Sequence, residues 1–597
     1  MSGPGSGVLL GVILAGLAAG GVDPDAGGLA ASAAVQPGQR GVVRTVLQDD
    51  RLEEIPLEIL GISPGFAGPG RDVIVARLEG PRAIRYGVVA GMSGSPVTVE
   101  GRLIGALAYR IGGFTPEAIA GITPIEQMRR IPVDDTRVET GGMSWSAVQE
   151  RLAAVAGVTG MTPASRSVLP AAGPSTTPLA VTGLTPLARE HVMPVLARMG
   201  LGPAIEATAT GGSVEPRALA GGDPVAVVLV RGDTTVAGTG SVTLVEGDHV
   251  LAFGHPLVRA GAIDFPMARA TIIVTVPSPA GSFKMARIGE TVGAFTQDRA
   301  QGISGHLGAE AALTPLTVEV RSPDEDAVTR HRFEIVRSAG LTGGLTQLVM
   351  ANTLFAADRA AVSGTIRLSG QILVAGREPV PFAAAFAGGL NGLPVALPAS
   401  GYVASLMSLF QQAAIREDRD LAMTLRCDID AEIRSLRVTR ILLATPTVAP
   451  GGTVQATAIL TRDSDGTRIR QPVEMVAPDL PPGTRLQLLV GDALAVARAS
   501  GRPSPGAGGT ITLDRLAAFV EALHAPERLY ARLSRPATGL VVNARPLADL
   551  PPSVAAILGA DGGAASHPTL GLSEVATGDW AQDGVVRGSM SVMLTVR

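Results

Sequence analysis

From Gly41 onward, apolar and polar positions alternate in short runs, "GVVRTVLQ" (41–48), "IPLEILGI" (55–62) and "DVIVARL" (72–78), with turn-forming stretches such as "SPGFAGPG" between them. Alternation with period two puts every second side chain on one face, so these runs predict half-buried β-strands. The pattern returns in "PVAVVLVRGDTTVAGTGSVTLVEGDHVLAFGHPL", with turns at 231–233 and 246–248 and no room for crossover helices, which predicts hairpins. Between the two blocks, 131–223 reads as a connector. It carries one helix, with Thr185 as cap, Pro186 in the first turn, a kink at Pro194 and an end at Gly200.

Farther on, strands such as "TIRLSGQILVAG" accompany an apolar helix, Tyr402 to Ile415, making 321–435 an α+β region that either continues the preceding unit or stands alone. Residues 436–500 show strand runs broken by "APGG" and "PPG", the pattern of an Ig-like β-sandwich. Asp463 to Gly466 reads there as a hairpin turn, because the downstream ligands of a calcium loop are missing. In the final α+β stretch, 501–597, Thr512 caps an amphipathic helix with Leu513, Leu516, Val520 and Leu523 on one face. At the other end, the apolar run 8–18 is too short to span a bilayer, and Ala31, Ser32 and Ala33 form a small-residue cleavage pattern. Residues 1–33 are therefore expected to be a signal peptide, and the protein to be exported to the periplasm, cell envelope or exterior. No later stretch reaches 18 uninterrupted apolar residues, so no stable membrane span is expected after signal removal.

Composition narrows the function. A length of 597 residues exceeds one core and implies several domains. Net charge is −4 without a basic run and aromatics are 3%, which argues against nucleic-acid binding. The lone Cys427 excludes an intramolecular disulfide and a cysteine zinc site, and alternation gives it a half-buried strand position. Apart from Lys284 the cations are arginines, a bias from which no function follows.

Candidate chemistry centres on "GMSGSP" (91–96). Acyl transfer needs a hydroxyl whose proton an imidazole can take and backbone N–H groups facing the developing oxyanion. Gly91 can adopt torsions that aim its N–H and that of Ser93 into one hole, while Gly94 leaves room for a substrate chain. Ser93 is the candidate nucleophile and Ser95 the alternative; the plain reading is a tight turn before a buried strand. Among seven histidines, His255 in "VLAFGHPL" stands where a strand gives way to a loop, a common place for a catalytic base. His249, in the turn before it, is expected to be solvated, and His306 in "GISGHLG" has a glycine-framed context of its own.

"VVAGMSGSPVTVEGRLIGALAY" resembles the serine segment of the SpoIVB peptidase family, chymotrypsin-like serine peptidases. Independently, "VRGDTTVAGTGSVTLVEGDHVLAFGHPL" resembles that family's histidine segment, and "GSFKMARIGETVGAFTQDRAQGISGHLG" the stretch after it. The resemblance covers 41–130 and 224–310. It implies a serine-bearing barrel half in 34–130, a histidine-bearing half in 224–320, Ser93 as nucleophile, His255 as general base and the Gly91 and Ser93 amides as oxyanion hole. In the family the histidine segment comes first, so this chain is permuted, and the PDZ module that usually precedes the catalytic part is not evident. The acid falls on Glu79, with Asp264 and Asp298 as alternatives. The expectation is a mainly β, permuted chymotrypsin-like peptidase that needs no metal or organic cofactor and acts on itself or on a protein or peptide substrate. The rival expectation is an inactive cell-envelope binding or scaffold protein that keeps the fold. Oligomeric state is not encoded in any motif.

Overall fold

The computed structural model describes residues 35–597 apart from 113–114, 134, 136–176, 178, 203, 207–216, 323–327, 389–392, 500–511, 524, 543–544, 549, 552, 555–556 and 558–568. The expected signal peptide, most of the connector, His524 and His567 lie outside the described residues. The fold is mainly β.

The first alternating block forms six strands: β1 (Arg40–Gln48), β2 (Arg51–Ser63), β3 (Val73–Leu78), β4 (Pro96–Val99), β5 (Arg102–Arg110) and β6 (Ala118–Pro124). They close into a barrel in the order β1-β2-β3-β6-β5-β4. Closure removes every sheet edge, and the inward positions, Val43, Ile59, Ile74, Val97 and Ile122 among them, fill the interior.

A short parallel pair, β7 (Leu179–Val181) and β8 (Ala204–Glu206), leads to the second block. It comprises β9 (Pro224–Gly232), β10 (Val236–Glu246), β11 (His249–Ala252), β12 (Gly261–Val276), β13 (Phe283–Arg299) and β14 (Gly302–Leu307). Successive pairings β9-β12-β13-β14-β11-β10 return to β9 through the β9–β10 hairpin, so these six strands also form a closed ring. The ring is part of a 13-stranded sheet. Leu313–Arg321 and Val328–Val336 extend that sheet from β9, helix Thr342–Ala357 packs on the second of these strands, and helix Ala396–Arg416 packs on that helix. One core runs through ring and extension, so 321–435 continues the preceding unit.

Several local expectations shift. Helix Ala396–Arg416 starts before Tyr402 because Pro398 sits in its first turn, where a missing N–H costs nothing. Thr185 accepts a hydrogen bond from Ala188 N at 3.3 Å, but the helix breaks into Pro186–His191 and Met193–Arg198. Cys427 lies on the alternating strand Leu421–Asp430 as expected, at a fully buried inward position. His249 is half-buried rather than fully solvated: its Nε2 is buried and its ring lies 5.4 Å from that of His306. The stretches 436–500 and 501–597 are not separate units. Arg485–Gly491 pairs with both Arg528–Val542 and Ser589–Val596, and Val585–Arg587 joins Ser435–Leu443, so both stretches share one core. Helix Leu513–Glu521 instead buries Leu513, Leu516 and Val520 in the core of the 13-stranded sheet.

Candidate active site

Between β3 and β4 a short helix, Gly80–Tyr86, delivers the chain into the turn 87–95. Gly91 and Gly94 take φ of +97° and +94°, a region that side chains disfavour. Within the first barrel, Met92 N donates to Val89 O at 3.1 Å, Gly94 N to Leu107 O at 2.8 Å and Ser95 N to Met92 O at 2.9 Å. The second ring supplies the rest. Ala90 N donates to Ser282 O at 2.8 Å, Ser241 N to Ser93 O at 2.7 Å, and Thr243 Oγ1 to Gly94 O at 2.8 Å. A Cβ on Gly94 would stand 2.0 Å from Ser241 O and 2.4 Å from Phe253 N, so only glycine lets the two barrels meet here. Two amides of the turn, Gly91 N–H and Ser93 N–H, donate no hydrogen bond to any described residue. Ser93 itself is 2% exposed.

After β11, Phe253 and Gly254 take φ of +69° and +68°, reversing the chain and setting His255 beyond the strand end. The first barrel holds this corner: Thr123 Oγ1 donates to Gly254 O at 2.6 Å. His255 is 1% exposed, and its Nδ1 lies 2.8 Å from Pro256 O. A carbonyl only accepts, so Nδ1 carries the proton and Nε2 presents its lone pair. That Nε2 is buried without a hydrogen-bond partner. Burial pushes the imidazole pKa down to about 4, against a smaller opposing effect of the Pro256 carbonyl, so the ring is neutral at neutral pH.

None of the three acids contacts His255. Asp298 is fully buried and accepts from Leu257 N, Val258 N and Ala260 N at 2.8, 2.9 and 3.0 Å, fixing the loop after the histidine instead of its ring. Asp264 accepts from Ala312 N at 2.7 Å, and Glu79 pairs with exposed Arg40 at 3.0 Å. Burial raises the carboxyl pKa of both Asp298 and Asp264. No hydrogen bond joins Ser93 Oγ to His255 Nε2, although their segments touch at Gly94 and Phe253.

Sequence reasoning missed Lys284. It is 2% exposed beneath the serine turn, and its Nζ lies 2.8 Å from Thr45 Oγ1, which Ser95 Oγ reaches at 3.0 Å. Burial alone lowers its pKa to about 7. Its being the one lysine beside 48 arginines was the available signal. Among the described residues no cluster of His, Cys, Asp and Glu could hold a metal. No family model, curated protein or solved structure matches the chain.

Proposed function

We propose that the chain is an exported serine endopeptidase similar to the SpoIVB peptidases, with a permuted chymotrypsin-like double barrel and an Ig-like sandwich behind it. The observation that carries this reading is the pair of unpaired amides, Gly91 N–H and Ser93 N–H, in a turn whose other polar backbone groups are largely engaged. Unpaired donors flanking a buried serine are what an oxyanion hole requires. The tautomer of His255 supports it further, since Nε2 is free to accept a proton.

In this reading Ser93 Oγ attacks the scissile carbonyl carbon as its proton passes to His255 Nε2. The new C–O⁻ lies against the two amides. Collapse breaks the C–N bond, the amine leaves with the proton from His255, and water repeats the sequence on acyl-Ser93. The absence of a Ser93–His255 hydrogen bond fits a site that tightens on substrate binding. A cleft of about 370 Å³ between the first barrel and the 277–282 loop of the second ring reaches the turn at Gly87 and Val88, and neither Ser93 nor His255 lines it. Its rim carries Ile84, 87% exposed, with Arg85 and Arg110.

The second reading, an inactive scaffold, draws on the carbonyl where a triad has a carboxylate. A fluorophosphonate probe decides between them. Labelling of the folded protein that disappears in Ser93→Ala is expected; no labelling of the folded wild type overturns the peptidase reading.

A further inference from the structure

The stem of Lys284 lies along the serine turn: a Cβ on Gly91 would stand 3.3–3.4 Å from Lys284 Cβ, Cγ and Cδ. The backbone N–H of Lys284 donates to Ala90 O at 3.0 Å, so the lysine is fixed to the turn by its backbone as well as its stem. From Nζ a line of hydroxyls returns to the turn. Thr45 Oγ1 is 2.8 Å away, Ser95 Oγ lies 3.0 Å from Thr45, Ser241 Oγ 3.2 Å from Ser95, and Gly91 O 3.4 Å from Ser241. Thr45, Ser95 and Ser241 are all fully buried. No carboxylate lies within ion-pair distance of Nζ among the described residues.

An ammonium can only donate. When Lys284 is charged it donates to Thr45, which weakens Thr45 Oγ1 as an acceptor for the Ser95 hydroxyl and directs that proton instead to Ser241, whose own hydroxyl donates to the Gly91 carbonyl. When it is neutral its lone pair can accept from Thr45, and that direction is no longer imposed. Gly91 O belongs to the peptide plane between the two amides of the hole. Resting on the peptidase reading above, we propose that Lys284 is a positioning residue for Ser93. Acting through Thr45, Ser95 and Ser241 on the Gly91 carbonyl, its ammonium holds the Gly91 and Ser93 amides towards the oxyanion and adds a positive charge beside the hole. Ser95 then belongs to this chain and is not a second nucleophile. A fixed charge in a site closed to water acts more strongly than the same charge in solvent.

Lys284 is faced by Thr45 from β1, Thr275 opposite on β12 and Ala90 and Gly91 of the turn, none of them charged. Its ammonium form therefore follows burial alone, with a midpoint of about 7. His255 is neutral above about 4, so acylation is expected to be fastest between these values.

A single lysine makes the test direct, because 13C-lysine labelling of the full chain gives one side-chain signal. Its titration is followed before and after a fluorophosphonate modifies Ser93, the adduct placing a phosphoryl oxygen in the hole. The midpoint is expected to rise by about one pH unit or more on modification. The labelling rate of the wild type is expected to fall by about tenfold between pH 6 and pH 9. Lys284→Met should lose that alkaline fall and label slowly throughout. Should Lys284→Met fail to fold, Ser241→Ala interrupts the chain with the charge in place, and should slow labelling at pH 6 with the free-protein midpoint unmoved. Labelling that depends on Ser93 with an unmoved midpoint on modification overturns the positioning role and leaves the peptidase standing. An alkaline fall that persists in folded Lys284→Met does the same, and no labelling of the folded wild type removes both.

Discussion

The serine barrel and the histidine ring both close with six strands, yet they hold their candidate groups by different means. Around Ser93 the buried polar groups are neutral hydroxyls and one amine, Thr45, Ser95, Ser241 and Lys284. Around His255 a carboxylate, Asp298, gathers the amides of 257, 258 and 260. The two also differ in what each borrows. The serine turn takes Ser282 O, the Ser241 amide and the Thr243 hydroxyl from the other ring, whereas the histidine corner takes mainly Thr123 from the first barrel. The serine turn is thus completed by docking, and the histidine loop largely by its own strands. Each ring closes on its own chain segment.

The largest effect should come from breaking the junction. In Gly94→Ala the new methyl meets backbone on both sides, Ser241 O and Phe253 N, which no rotamer change can relieve, and φ of +94° adds strain. A loss of about 4 kcal/mol or more is expected in denaturant melts. Gly38→Ala is the control: φ is +86° but nothing lies within 4 Å, so about 1 kcal/mol is expected. Equal losses in the two variants would mean that the barrels are not docked through Gly94. Next comes the histidine side. Asp298→Asn removes the charge and one acceptor from three buried amides, at a cost of about 2 kcal/mol. Hydrogen exchange should quicken at Leu257, Val258 and Ala260 and stay slow at Gly94 and Ser95. Loss of probe labelling with exchange unchanged would instead place Asp298 on the imidazole.

Much of this was legible because it was local. Alternation marked β1 to β3 and β9 to β11, and the glycine-framed turn marked Ser93 with its two amides, since torsions at Gly91 and Gly94 depend on residue type at those positions. What was not legible depends on pairing at a distance. Ser95 meets Thr45 across 50 residues and Ser241 across 146, and in sequence each is one more small residue on a strand. Asp298 suggested a triad acid because a carboxylate near a histidine is common, whereas nothing in "TQDRAQG" tells that three amides lie closer. Lys284 was passed over as composition bias, although a basic residue with no acid near it in space can be recognised only once burial is known. The split of the C-terminal sandwich at 500 failed for the same reason: its sheets pair Arg485–Gly491 with Ser589–Val596, and the intervening glycine- and proline-rich stretch reads as a boundary.

The smallest effect separates the histidine side from the serine side by pH. Burial lowers the His255 pKa from 6.5 to about 4, so between these values the unfolded chain binds a proton that the folded chain does not. Stability from this group is therefore complete above 6.5 and is lost as pH falls towards 4. Lowering the pH from about 6.5 to about 5.5 should cost the wild type roughly 1 kcal/mol more than His255→Gln, which has nothing to protonate. Lys284 stays outside this window, since its midpoint is about 7 folded and 10.5 unfolded, and both states carry its proton below pH 6. Its contribution changes only as pH rises through 7 to 10.5, where the unfolded chain keeps the proton longer and stability increases. If wild type and His255→Gln lose stability in parallel on acidification, the imidazole is charged in the folded protein at pH 5.5, its Nε2 is not a free acceptor, and the proton transfer from Ser93 has no base.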